Sequence, residues 1–367
     1  MTLRKLFSIF ALVVFSGVLF AQEENTLQTP EVITGISQLQ KPNKSDSIIS
    51  IKFDVRADGI YNNYGMFKEG STEKFGFSGK YLNFAIAGNI SDKFSYSFRY
   101  RINQDNGNPK DFFGSVDWVY LAYQINKNFS VSAGKEVVAV GGYEYDKAPI
   151  DVYFWSDFWN NLDPPFRFGT SFNFHSSDGN HTLKLQVTDS PFCKESLQGL
   201  FAYNLLWYGK INWFETIYSV NFLEYEKGEF INYIALGNKF NFDWFSWELD
   251  YTNRASFKQD NFFADFSVVS NMNFAVGDHW NLFVKGGYDQ NKAQEGTVER
   301  AFAYDRYVAP GTQYAFYGAG VEFYPIKSLK NLLRVHAFVY GNNAGGAQSQ
   351  LLSFNIGVRW QMKVFQR

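Results

Sequence analysis

The sequence predicts an all-β protein: a transmembrane, antiparallel, up-and-down β-barrel of about sixteen strands, with short periplasmic turns and longer extracellular loops. Three observations carry this expectation. Apolar and polar residues alternate one-for-one along segment after segment, the pattern of a strand with two unlike faces. Beyond Ala21 no stretch approaches the ~18 consecutive apolar residues of a helical span. The polar connections alternate between short and long, which trims one rim of a meander and elaborates the other.

Composition agrees. Aromatic residues make up 20% of the 367 residues, with 40 Phe, 23 Tyr and 9 Trp, yet the mean hydropathy is only -0.26. So many rings at so mild a hydropathy require apolar side chains interleaved with polar ones. A formal net charge of -2 gives no electrostatic case for a nucleic-acid partner.

In chain order, Arg4 and Lys5 precede an apolar run from Leu6 to Phe20 that ends at Ala21-Gln22. This is the layout of a cleavable secretory signal over residues 1–21. The run falls short of the ~20 residues needed to anchor a helix in a bilayer. Residues 22–46 are polar, contain Pro30 and Pro42, and read as an N-terminal periplasmic segment. Cys193 is the only cysteine, which excludes an intrachain disulfide framework.

The barrel is expected over residues 47–365. "SIKFDVRAD" sets Ile51, Phe53, Val55 and Ala57 against Lys52, Asp54, Arg56 and Asp58. "FSYSFRYR" sets Phe94, Tyr96, Phe98 and Tyr100 against Ser95, Ser97, Arg99 and Arg101. "FRFGTSFNFH", "TLKLQVT", "FSWELDYT" and "WNLFVKGGYD" repeat the pattern, while 81–88 and 116–124 carry bulky residues on both faces. Short turns fall at "ISDK" 90–93, "NKN" 126–128, "SSDG" 176–179, "GKIN" 209–212, "FD" 242–243, "GD" 277–278 and "IKSLKN" 326–331. Longer connections fall near 65–73, 104–112, 140–165, 190–198, 225–228, 255–260, 291–311 and 342–349. Most segments reach the ~9–11 residues that cross a tilted ~25 Å apolar band.

Hydrocarbon offers backbone N–H and C=O groups no partner, so a sheet in lipid must close on itself. Lipid then covers the oily parity. Eight strands enclose little more than side chains, whereas sixteen enclose water, so Lys, Arg, Asp and Glu can occupy the other parity. Aromatics next to short turns, namely Phe94, Phe129, Trp213, Trp244, Phe245 and Trp280, suit the girdle at a membrane interface. The final strand-like run, "LLSFNIGVRWQMKVF" at 351–365, alternates strictly. Within it "NIGVRWQM" resembles the C-terminal signal read by the barrel-assembly machinery, displaced from the terminus by a few residues.

The connection at 140–165 is longer than a hairpin needs, and loops beyond ~12–15 residues are usually functional or disordered. Its Tyr, Phe and Trp residues need an apolar surface to cover. It is expected to fold inward as a constriction loop carrying Tyr143, Glu144, Tyr145, Asp146, Lys147, Asp151 and Asp157. Packing over the rim or against a neighbouring subunit is the other reading.

"DVRADGIYNN" at 54–63 and "GKEVVAVGGYEYDKAPIDVYFWSDFWNN" at 134–161, with the strand-turn plan, resemble the phosphate-selective porin O/P family. The resemblance implies a sixteen-stranded homotrimeric porin with an inward third extracellular loop, an arginine-lined channel and lysines on the constriction.

Residue parity places Lys52, Arg56, Lys80, Arg99, Arg101, Arg167, Lys184, Lys285, Arg334, Arg359 and Lys363 on the pore lining. Asp54, Asp58, Glu215, Glu248, Asp250, Asp265, Asp289 and Glu322 share that parity. The signs nearly cancel, and the loop itself is acidic. The expectation is passive diffusion of small hydrophilic solutes or inorganic ions with weak ion preference. Phosphate or other anions would be favoured locally at clusters such as Arg99 and Arg101. The alternative is a loop-plugged outer-membrane barrel used for adhesion or binding. The four His, at 175, 181, 279 and 336, lack zinc-ligand spacing, and no G-x-S-x-G elbow or phosphate-binding P-loop occurs. No enzyme activity, cofactor or metal is therefore expected. The expected partners are membrane lipid, the diffusing solute, the barrel-assembly machinery and further copies of the chain.

Overall fold

The computed structural model describes residues 48–66, 70–102, 112–158, 165–193, 197–256, 262–292, 311–330, 332–345 and 349–367. The expected signal and N-terminal segment lie outside them. The strands run β1 (Ser50–Tyr64), β2 (Thr72–Asn89), β3 (Phe94–Arg101), β4 (Val116–Gln124), β5 (Phe129–Val137), β6 (Phe166–His175), β7 (His181–Asp189) and β8 (Phe201–Ile211). They continue with β9 (Phe214–Glu226), β10 (Glu229–Asn241), β11 (Phe245–Ser256), β12 (Phe266–Val276), β13 (Trp280–Gln290), β14 (Gln313–Phe323), β15 (Leu333–Asn342) and β16 (Leu351–Gln366). Each pairs antiparallel with its sequence neighbours, and β16 pairs with β1, which closes the barrel. The closing ladder runs from Ser50 opposite Gln366 to Tyr64 opposite Leu351. No strand edge is left along the closed wall at that seam, as hydrocarbon requires.

The parity of β16 shows how the two faces divide. Phe354, Ile356, Val358 and Trp360 project outward and are exposed, while Ser353, Asn355 and Arg359 are buried on the inner side. At the turn end the outward rings form a band. Trp213 stacks on Phe240 and Phe242, Phe242 on Phe245, and Phe245 meets Phe274, with Trp280 against Phe323 further round. The two segments with bulky faces on both sides resolve as parts of β2 and β4. In β4, Leu121 faces out while Trp118 and Tyr120 face the lumen. One connection is shorter than the sequence suggested: 225–228 is taken up by strand ends, leaving a two-residue hairpin at Lys227-Gly228 between β9 and β10.

The barrel has an interior apolar core, which alternation alone does not reveal. Inward residues of β8–β10, including Ala202, Leu206, Ile217, Leu223, Tyr233 and Ala235, are fully covered. A second patch of Val269, Phe283, Phe316 and Phe338 lies on β12–β15. Both are covered by the connection after β5.

Candidate functional site: the lumen and its inner loop

That connection leaves β5 along the inner wall, and its "VGG" explains how. The backbone N–H of Ala139 donates to Gln186 Oε1 at 2.8 Å, and Asn221 Nδ2 donates to the Ala139 carbonyl at 2.8 Å. Gly141 N–H donates to Ser219 Oγ at 2.7 Å, and Gly142 N–H to the Ile217 carbonyl at 3.2 Å. A Cβ on Gly141 would stand 2.7 Å from the Ile217 oxygen. Gly142 adopts φ +104°, a conformation that side chains resist, and a Cβ on Gly237 of β10 would stand 2.8 Å from the Gly142 Cα. Glycine on both surfaces lets main chain lie against wall.

A one-turn helix α1 (Tyr143–Asp146) follows. Asp250 of β11 accepts the N–H of Tyr143 at 2.8 Å and of Glu144 at 2.7 Å, so a carboxylate meets the first-turn donors that a helix leaves unsatisfied. Glu144 accepts from Ser156 N–H at 3.0 Å and from Lys285 Nζ at 2.6 Å, while Lys147 pairs with Glu248. The chain then crosses toward β1 and β14–β16. Arg56 Nη1 donates to the Val152 carbonyl at 2.7 Å, and Asp151 pairs with Arg334 and with Arg359, the latter at 3.1 Å. Tyr153 stacks on Phe283 and donates to Glu322; Phe154 stacks on Tyr340 at 4.9 Å. Asp157 N–H donates to Asp289 Oδ2 at 2.9 Å. Burial pushes the phenols of Tyr143 and Tyr153 well above their ordinary range, so both are neutral, and Tyr153 donates to Glu322.

The loop is thus held on two sides of the lumen. Residues 159–164 of the expected loop lie outside the described residues. The two stretches that suggested the family touch here, since Arg56 belongs to "DVRADGIYNN" and Val152 to the loop.

On the turn side of the loop is a water-accessible cavity of ≈ 2390 Å³. Of the residues expected on the pore lining, Lys52, Arg99, Lys285, Arg334, Arg359 and Lys363 line it, as do Tyr143, Glu144, Asp146, Lys147 and Asp151 of the loop. Arg56, Lys80, Arg101, Arg167 and Lys184 do not. Arg56 is held behind the loop by Asp58, and Lys184 is buried against Glu136. Arg101 pairs with Asp117, and Arg167 donates to the Pro191 carbonyl at 2.8 Å. Lys80 is exposed at the β1–β2 register shift. Tyr145 and Asp157 are buried away from the cavity.

The expected near-cancellation of charge is altered by where the charges sit. Among the described residues, the cavity is lined by thirteen Lys or Arg and ten Asp or Glu. Eight of the cations, Lys52, Lys93, Lys127, Lys210, Lys239, Lys327, Lys330 and Lys363, belong to the turn-side part of the wall, with four carboxylates, Asp54, Asp92, Glu215 and Asp278. Several of the remaining carboxylates are engaged with the loop or its anchors. The sequence reading missed most of these lysines because they flank the short turns, where parity is hard to extend. It also missed Gln186, Ser219 and Asn221, which bind loop backbone and carry no charge.

The family model for "Phosphate-selective porin O and P" matches residues 50–207. Over that stretch the chain resembles this family, and its closed sixteen-strand barrel is the fold of an outer-membrane porin. No curated protein matches it in sequence. Among solved structures, the porin resembles the anion-selective porin from Comamonas acidovorans, with a TM-score of 0.60 at 12% identity, over 86% of this chain and 100% of that one. It also resembles a loop L8 deletion mutant of OmpT of Vibrio cholerae, with a TM-score of 0.56 at 12% identity, over 86% and 99%. The trimer form of OmpT from Vibrio cholerae gives 0.55 at 10%, over 86% and 99%. At these identities the likeness is one of fold. Family and fold are those of a channel rather than an enzyme, and the porin's polar, water-accessible lumen is what such a channel needs.

Proposed function

We propose that the porin passes small hydrophilic solutes with a modest preference for anions, inorganic phosphate among them. In this reading the segment 140–165 is the constriction, and the cavity-lining cations guide the solute past it. The observation that carries the preference is the excess of lysine on the turn-side wall while loop and wall carboxylates further in are tied to each other's cations. A ring of one sign favours ions of the other. The family description and the anion-selective neighbour point the same way. We further propose a mature chain without residues 1–21, a periplasmic 22–46, insertion by the barrel-assembly machinery into lipid, and a homotrimer, a state recorded for one OmpT structure.

We assign it no catalysis. His175 meets Ser130 Oγ at 3.4 Å and Thr182 Oγ1 at 3.0 Å, but no carboxylate orients its ring among its described partners. The decisive measurement is the reversal potential of the reconstituted porin across a KCl gradient. Anion preference of roughly two- to tenfold is expected. Cation preference would refute the reading, and absence of conductance would favour the plugged-barrel alternative.

A further inference from the structure

The described chain enters the barrel at the turn-side mouth. Ile48 borders the cavity and its carbonyl accepts from Tyr96 Oη at 3.0 Å, while Ile49 and Arg367 exchange backbone hydrogen bonds at 3.2 and 3.0 Å. Four cavity-lining lysines flank this point on neighbouring elements: Lys52 on β1, Lys363 on β16, Lys93 in the β2–β3 turn and Lys127 in the β4–β5 turn. Lys52 and Lys363 are register partners, and like charges directly opposite one another repel. No described carboxylate lies within ion-pair distance of any of the four. Asp54 and Asp92 share the arc, and Asp54 accepts from Gln361 Nε2 at 2.6 Å. Further round the mouth the lysines are engaged. Lys210 and Lys327 pair with Glu215 and Asp278, Lys239 is 4.0 Å from Glu248, and Lys330 lies over the Tyr324 ring.

We propose that the porin's own acidic stretch, residues 22–40, docks on this arc of the mouth, and that its carboxylates among the four lysines restrain the entry of anions from the turn side. This rests on the periplasmic placement of residues 22–46 proposed above. The stretch holds Glu23, Glu24 and Glu31 and no Lys or Arg; Lys41, Lys44 and Asp46 separate it from the wall. Its sign is opposite to that of the arc. An extended chain covers roughly 3.3–3.6 Å per residue, so Glu31, seventeen positions before Ile48, reaches every part of the arc beside its own strand. The tether makes the encounter intramolecular. Exposed ion pairs are individually weak and screened by salt, so the contact belongs to low ionic strength and leaves the channel open when salt is high.

The test uses the full mature porin. Carbodiimide joins a carboxylate to an amine in contact with it, and peptide mass spectrometry should place the links of Glu23, Glu24 and Glu31 on Lys52, Lys93, Lys127 or Lys363. In planar bilayers the neutral variant E23Q/E24Q/E31Q should raise the chloride-to-potassium permeability ratio roughly two- to threefold in ~0.1 M KCl, and the difference should vanish in ~1 M KCl, where the screening length falls from about 10 Å to about 3 Å. In a K93Q/K127Q background the same neutralisation should shift the ratio by less than about half as much, because the docked state is lost. Absence of links, links spread evenly over these four lysines, Lys210 and Lys327, a ratio unchanged by E23Q/E24Q/E31Q, or a mature chain that begins beyond residue 46 would each overturn the proposal. Covalent dimers in place of intrachain links would assign the arc to a second copy and overturn it as well. Cation selectivity of wild type would remove the anion-preferring reading alone, since the shift between wild type and E23Q/E24Q/E31Q has the same sign for either preference.

Discussion

The inner loop sits on two unlike seats. On β7–β11 it is held mostly by backbone and neutral side chains: Gly141 and Gly142 against Ile217 and Ser219, Ala139 between Gln186 and Asn221, with apolar residues filling beneath and the β11 carboxylates Asp250 and Glu248 as the charged exceptions. On β14–β16 and β1 it is held by charge: Arg56, Arg334, Arg359, Asp151 and Glu322, with Tyr153 flat on Phe283. The first seat fixes where the main chain runs. The second fixes what the loop presents to the channel. A neutral seat has one well-packed geometry. A charged seat keeps its geometry only while its charges balance, and buried charge left unpaired is costly.

The largest effect should come from breaking the first seat sterically. A valine at Gly237 would drive its Cβ into the Gly142 backbone, where the ideal Cβ already stands 2.8 Å from the Gly142 Cα. Gly237→Val should cost about 4–5 kcal/mol in loop docking, the extreme end for a single substitution. The expected record is a larger, noisier single-channel conductance with an intact barrel by heat-modifiable gel migration. Unchanged conductance would mean the loop does not seat there.

The charged seat should follow closely. Arg56→Met removes the donor to the Val152 carbonyl and one of the two described partners of Asp58, leaving it His336. Breaking a buried ion pair on one side costs up to about 3–5 kcal/mol. Urea unfolding in detergent should record the loss. Adding Asp58→Asn should recover part of it, whereas Gly237→Val has no such charge-balancing rescue. Absence of recovery would erase the distinction between the seats.

How much of this was legible in the chain follows the same division. Strand parity is written locally, so the barrel, its closure by the last segment and its aromatic band could be read from alternation at "SIKFDVRAD" or "NIGVRWQM". The inward loop was legible from its own aromatics, which need cover. Its seats were not. Leu206, Ile217 and Leu223 sit on the inner parity of strands whose outer parity is equally oily, so the pattern at β8–β9 looks featureless. Pairings such as Tyr143 with Asp250 or Asp151 with Arg334 join residues more than a hundred positions apart, and no local signal marks them. Parity also treated Arg167 and Lys184 as channel cations, although a loop carbonyl and Glu136 already hold them.

A moderate effect should come from Asp250, where the neutral seat depends on one carboxylate. Asp250→Ala leaves the N–H groups of Tyr143 and Glu144 without their acceptor, at about 2–3 kcal/mol for a pair of buried donors. Asp250→Asn keeps one acceptor oxygen and should lose about half as much. If the two variants unfold alike in urea, the contribution is charge rather than hydrogen bonding, and this seat resembles the other.

The smallest effect lies outside both seats, in the β6–β7 turn, and serves as the control. Asp178 accepts from Ser176, from Asn180 N–H at 3.0 Å and from Asn180 Nδ2 at 3.0 Å, and these donors hold its carboxyl down at about 2. A depressed folded-state value means that the stabilisation is complete above the ordinary value of ~4 and is lost as pH falls toward 2. The difference in urea midpoint between wild type and Asp178→Ala should therefore narrow as pH drops from 5 to 2, while conductance and selectivity at neutral pH stay the same. Asp178 is exposed and makes its described hydrogen bonds within the turn, so a change in channel noise on this substitution would show that the loop's anchoring extends through the wall to the periplasmic rim. A midpoint difference that is as wide at pH 2 as at pH 5 would show that the turn is held by its backbone geometry and not by the ionised carboxylate.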